Sequence, residues 1–241
     1  MSNNKRILLA FIPSAYNGNP ASESGPKALE KYIYNNLLKD YPSFVFTHLR
    51  FDQNFDESVS DFFRRIQSNY IEWISSYSLI FLFGGNHLSI FPFFQKTLES
   101  GDVLSLDAHV DNYHSDTINH GTFLNYLNDT YGKYYIYGSR DNNKSKGNEI
   151  VLSSGNIPRK DISHLDIDLD VLDPSIFPYV GCPLTHGMTT IDLFRVLEEI
   201  NYTRLNTVSI SEYIPLLDKD NLGKRTILQI VRFIIHQTEG K

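Results

Sequence analysis

Between Ser105 and Gly121 the chain reads SLDAHVDNYHSDTINHG, which sets Asp107, His109, Asp111, His114, Asp116 and His120 within fourteen positions. A second cluster, SHLDIDLD at 163–170, alternates Asp166, Asp168 and Asp170. Carboxylates and imidazoles at the ends of apolar runs are costly to bury unless something pairs with them. In an extended segment, residues two apart share a face. Each cluster therefore reads as an acidic comb: Asp107, His109 and Asp111 in one, Asp166, Asp168 and Asp170 in the other. Two such combs facing each other repel unless cations lie between them. Carboxylate with imidazole is a usual donor set for divalent metals. Five or six donors exceed the needs of one ion, and carboxylates can bridge. The reading is a binuclear site with ions about 3.5–4 Å apart. His87, after Gly84-Gly85, joins the set.

Each piece has a plainer alternative. An Asp after a strand most often makes a turn or a cap, and a lone His is usually solvated or hydrogen-bonded. His48, His114, His164, His186 and His236 are read that way. Asp166 stands between a ligand and an outer acceptor that orients one.

Such residues need a frame that brings them together. Short runs at 6–13, 44–49, 78–85, 102–108, 133–139, 163–170 and 206–213 have strand length and are rich in β-branched or aromatic residues. Several are apolar on both faces, as strands covered on two sides are. Helical spacing runs through 25–40, with Leu29, Ile33 and Leu37, and through 58–76, with Phe62, Ile66, Tyr70 and Trp73. Residues 189–200 and 224–237 are further helices, and 140–161 and 174–189 are the longest irregular stretches. Alternating strands and helices predict a three-layer α-β-α domain with a mostly parallel sheet, spanning 1–241 as one unit. Ligands of such sheets bind at the carboxyl ends of the strands. His87 follows one such run, and Asp107, Asp168, Asp170 and Glu212 stand at the carboxyl ends of three others.

Bulk properties narrow the function. With 241 residues and 41% hydrophobic composition, the chain can bury one substantial core. A net charge of -6 without a Lys/Arg run gives no nucleic-acid footprint, and suits a cationic small substrate. Cys182 is the single cysteine, so no intramolecular disulfide forms, which fits a reducing compartment. No secretory signal and no membrane span is read, so a cytoplasmic location is expected.

Taken in order, the motifs resemble those of the arginase, or ureohydrolase, family. ASESGP (21–26), GGNHLS (84–89), DAHVD (107–111), NHG (119–121), GSRD (138–141), DLDVLDP (168–174) and SEYIP (211–215) carry the resemblance across most of the chain. It implies two manganese ions. His87, Asp107, Asp111 and Asp168 would hold one, and His109, Asp107, Asp168 and Asp170 the other, with Asp107 and Asp168 bridging. It also implies that His120 transfers protons and that Glu212 grips a substrate guanidinium. A guanidinium carbon is a poor electrophile, so metal activation of water suits its hydrolysis. A carboxylate can aim it, and an imidazole can shuttle the proton that the leaving amine needs.

The chain departs from the family pattern where arginine is recognised. Asn86 replaces an Asp, and Asp166 stands where Ser is common. Tyr113 takes the place of an Asn that holds the free carboxylate, and Asn143 that of an acidic residue that addresses the α-amino group. The 112–119 loop is short, and the chain ends soon after IVRFIIHQ, without the extension through which some arginases trimerise. A homo-oligomer stays open. These departures favour arginine within a peptide, as in peptide arginases that produce ornithine. The alternatives are agmatinase, guanidinobutyrase or formiminoglutamase activity on a small molecule. Two other classes remain: a zinc deacetylase, expected to hold one catalytic metal, and a non-catalytic metal-binding homologue.

Overall fold

The computed structural model describes residues 5–54, 56–127, 131–141, 149–152, 157 and 162–239. Eight strands form one sheet: β1 (Arg6–Ile12), β2 (Val45–Arg50), β3 (Leu79–Gly84), β4 (Asp102–Leu106), β5 (Tyr134–Tyr137), β6 (Glu149–Leu152), β7 (Ile162–Asp168) and β8 (Thr207–Ser211). Their order is β2-β1-β3-β8-β7-β4-β5-β6, and every pairing is parallel.

Side-chain alternation sorts the core into two layers. Ile7, Leu9 and Phe11 of β1 face one way, and Leu8, Ala10 and Ile12 the other. The first layer lies under α1 (Ser24–Asp40), α4 (Thr190–Glu199) and α5 (Leu222–Thr238), which contribute Leu29, Ile33, Leu193, Val196, Ile227 and Ile230. The second lies under α2 (Val59–Ser76) and α3 (Phe91–Thr97), through Phe62, Ile66, Tyr70, Phe93 and Phe94. The expected three layers are therefore present. Among the described residues, no helix is long and apolar enough to cross a membrane.

Two elements were not expected. Residues 149–152 fall in a stretch read as irregular, yet form edge strand β6 against β5. Four residues with one buried position are too few for a period to show. Helix α3 opens with Phe91, Pro92, Phe93 and Phe94 all buried, and its part-exposed residues are Gln95 and Lys96, so its seven residues show no helical stripe.

Strand order decides where chemistry gathers. β3, β8, β7 and β4 are adjacent at the centre of the sheet, though far apart in sequence. Their carboxyl ends deliver Glu212 and the residues of the acidic clusters to one crevice.

Candidate metal centre

His87 opens a 3-10 turn (His87–Ile90) entered from β3 through Gly84, Gly85 and Asn86. A Cβ at Gly85 would sit 2.2 Å from the Ser14 carbonyl oxygen, so only glycine lets this exit pass the β1 loop. Asn86 caps the turn. Its Oδ1 accepts the Ser89 amide and its Nδ2 donates to the Tyr16 carbonyl, a bond an Asp carboxylate cannot make.

The two acidic clusters converge, but not as extended combs. β4 ends at Leu106, and Asp107 Oδ1 accepts the His109 amide at 2.7 Å to begin a turn. Asp111 then adopts a left-handed φ of 52°. β7 ends at Asp168, whose Oδ1 accepts the Asp170 amide at 3.0 Å, so Asp170 lies in the 3-10 turn Leu169–Val171. Asp side chains bond their own backbone two residues on, and these bonds break the alternation that the spacing suggested.

The side chains meet in two groups that share Asp107. One contains His87, Asp107 and Asp168, the other Asp107, His109 and Asp170, and the donor atoms of each group lie within 4.8 Å of one another. His87 Nδ1 is 2.8 Å from Asp111 and 3.2 Å from both Asp107 and Asp168. His109 Nδ1 is 2.9 Å from Asp170. Asp166 stands apart from both groups. It is fully buried, and its Oδ2 lies 2.8 Å from His87 Nε2, on the far side of the ring.

The electrostatics test whether this donor set suits cations. Burial, with the charges of Asp111 and Asp170, pushes the Asp107 carboxyl up to about 8. Burial, with the charges of Asp170 and Asp107, holds Asp168 well above the carboxylate range. Burial pulls His109 down, but the Asp170 hydrogen bond and nearby carboxylates outweigh it and carry the imidazole to about 9. The cluster thus favours added positive charge, here protons, and two divalent ions would satisfy the same demand. The residues fit the group that their types implied.

A cavity of about 410 Å³ opens above these side chains. Glu212, at the end of β8, projects into it with a left-handed φ of 69°. Its Oε1 accepts the His87 amide at 2.8 Å and lies 3.9 Å from His120 Nδ1. Burial raises Glu212 to about 7 and lowers His120. Tyr113 lies on the cavity wall, and its hydroxyl donates to Asp141 at 3.1 Å. The Tyr113 amide donates to the Gly121 carbonyl at 3.0 Å, which closes the short loop. Asn143 lies outside the described residues.

His114, read as structural or solvated, lines the cavity, as does Cys182 from the 174–189 loop. Neither belongs to a periodic element, so no spacing signal marks them. His164 fits its structural reading: it is buried, with Nε2 2.8 Å from Ser209 Oγ.

Comparison with known proteins agrees with the motif order. The sequence model described as Arginase family matches residues 7–155 and 154–237. A formimidoylglutamase of Staphylococcus carnosus is 22% identical over 253 residues, covering 91% of this chain and 81% of that one. An agmatinase of Bacillus subtilis is 25% identical over 174 residues, covering 62% and 60%. Among solved structures, formimidoylglutamase from Bacillus subtilis superposes with a TM-score of 0.79 at 15% identity, covering 98% of this chain and 88% of that one. Arginase from Bacillus cereus gives 0.77 at 20%, covering 95% and 98%.

Proposed function

The chain belongs to the arginase family of metal-dependent hydrolases acting on linear amidines, and from that premise we propose that it cleaves the guanidino group of a cationic substrate, releasing urea and a primary amine. The observation that carries the reading is the pair of ligand groups sharing Asp107 beneath Glu212 in one open cavity. In this proposal His87, Asp107, Asp111 and Asp168 hold one ion, and Asp107, His109, Asp168 and Asp170 the other. Manganese is the ion that the family favours. When bound, the two ions supply Lewis acidity and bring the pKa of a water towards neutrality.

The chain's own residues supply the rest. Glu212 is held by the His87 amide, so its carboxylate is already aimed when substrate enters. It pairs with the guanidinium and turns the carbon towards the ligand groups. Burial pulls His120 below the usual imidazole range, which favours its neutral form. Beside Glu212, the imidazole takes the proton that the attacking water loses as its oxygen bonds to the guanidino carbon, and passes it to the departing nitrogen as the C–N bond breaks. The reading treats residues 1–241 as one arginase-like domain, since a single sheet joins the two matched segments.

The lining narrows the substrate. Beyond the residues assigned to the ions, the lining carries one carboxylate, Glu212, and, among the described residues, no Lys or Arg. That balance supports a cation without a free carboxylate at its far end. Agmatine fits this description. Arginine inside a peptide is the second reading, favoured by Tyr113, which is 42% exposed at the rim and commits its hydroxyl to Asp141. The test is a competition among a capped arginine peptide, agmatine, 4-guanidinobutyrate, L-arginine and N-formimidoylglutamate with manganese-loaded protein, read by mass spectrometry. Chelator-sensitive urea release from one of the carboxylate-free guanidines is expected. Preference for L-arginine, 4-guanidinobutyrate or formimidoylglutamate would overturn the substrate reading, and no conversion of any would overturn the activity.

A further inference from the structure

Behind the ligand groups runs a buried hydrogen-bonded chain that the reaction does not touch. It lies on the face of the sheet covered by α2 and α3. His87 presents Nδ1 to Asp107, Asp111 and Asp168, and Nε2 to Asp166 at 2.8 Å. Asp166 Oδ2 also accepts from Ser105 Oγ at 2.6 Å, and Oδ1 accepts from Ser209 Oγ. Ser209 Oγ is 2.8 Å from His164 Nε2, and His164 Nδ1 is 3.3 Å from Thr97 Oγ1. Tyr70, from α2, joins Thr97 and Thr207 at 3.1 and 2.7 Å.

Donor bookkeeping gives this chain a direction. A carboxylate only accepts, and a neutral imidazole has one donor and one acceptor nitrogen. Ser105 and Ser209 each use their single O–H on Asp166. Ser209 must then accept from His164 Nε2–H. The remaining contact on Asp166 comes from His87, which must carry its proton on Nε2. Nδ1, 2.8 Å from Asp111, also needs a proton while only carboxylates face it; a cation held among Asp107, Asp111 and Asp168 would take the place of that proton and leave Nε2–H on Asp166. His109 differs: among the described residues, every carboxylate within ion-pair distance lies on its Nδ1 side.

We propose that Asp166, pinned by Ser105 and Ser209 with His164 behind them, is a positioning residue that fixes His87 as the Nε2–H tautomer, makes Nδ1 the ligating atom, and strengthens one metal position over the other. Groups that orient a ligating histidine in this way typically change metal affinity by about 10–100-fold. Ser is common at this place in the family pattern, so the carboxylate is a departure of this chain. The inference rests on the metal reading above and concerns only one of its two positions.

Asp166→Asn keeps the shape and removes the charge. Metal-free full-length protein is titrated with manganese in competition with a chelating dye. Wild type should show two binding steps of unequal affinity. In Asp166→Asn one step should weaken about 10–100-fold and the other stay in place. Ser209→Ala, which leaves Asp166 charged, should weaken the same step by less and serves if the first variant fails to fold. Nitrogen-15 histidine spectra of zinc-loaded wild type should show His87 protonated at Nε2, with that proton shifted downfield by its carboxylate partner and losing the shift in Asp166→Asn. Equal weakening of both steps, unchanged binding, or a His87 proton on Nδ1 would overturn the inference while leaving the two-metal reading intact. A wild type that takes up no manganese would overturn both.

Discussion

Strands β7 and β8 do two jobs on two faces. Leu165, Ile167, Val208 and Ile210 belong to the apolar layer under α1, α4 and α5. The residues between them are His164, Asp166, Asp168, Thr207, Ser209 and Ser211, all buried and all polar. The first face holds the sheet to its helices through non-directional burial. On the second, stability depends on particular partners, because a buried polar group that loses its partner pays its full desolvation cost. The difference teaches that the centre of this sheet is both the middle of the core and the floor of the site. The apolar face should tolerate change and the polar face should not.

The sharpest break comes at the residue shared by both ligand groups. Asp107→Ala should lose both ions and drop turnover to background while the chain still unfolds cooperatively. Metal analysis of the purified variant checks this, and two ions per chain would contradict the shared role. His120→Asn should keep both ions and lower kcat by about 10²–10⁴-fold, the usual worth of positioned proton transfer. Steady-state kinetics with metal analysis on the same sample separates it from Asp107→Ala.

The polar face also makes stability depend on pH. Burial lowers His164 from 6.5 to about 4. Between those values the unfolded chain takes up a proton that the folded chain refuses. Stability from this group is therefore complete above its unfolded pKa and is lost as pH falls towards 4. The loss should reach about 3 kcal/mol. Urea unfolding across that range checks it, and His164→Asn should flatten the slope. The smallest effect belongs to the apolar face. Ile167→Val should cost about 1 kcal/mol, with kcat unchanged. A large loss of activity there would erase the contrast between the faces.

The sequence showed one of these faces better than the other. Seven of the strands were legible because β-branched and aromatic runs mark them, and the Asp and His of the candidate metal centre were legible because they crowd at the ends of those runs. The route to convergence was not. Asp111 reaches the centre through a left-handed backbone, and Asp170 through a 3-10 turn opened by its amide bond to Asp168 Oδ1, and spacing displays neither. Asp166 could be narrowed only to a ligand or an outer acceptor. Its burial is a matter of packing, and its partners Ser105, Ser209 and His87 come from three other segments; these contacts carry the positioning role proposed above. His114 and Cys182 were missed as cavity residues because loop closure, and no period, brings them there.

The central claim is that two ions, sharing Asp107, together make the hydrolytic site. The direct test adds manganese stepwise to metal-free protein under a saturating guanidine and follows urea release. Release should rise to a plateau at two equivalents per chain and vanish on chelation. Full activity at one equivalent, or any turnover that survives removal of metal, would contradict the account.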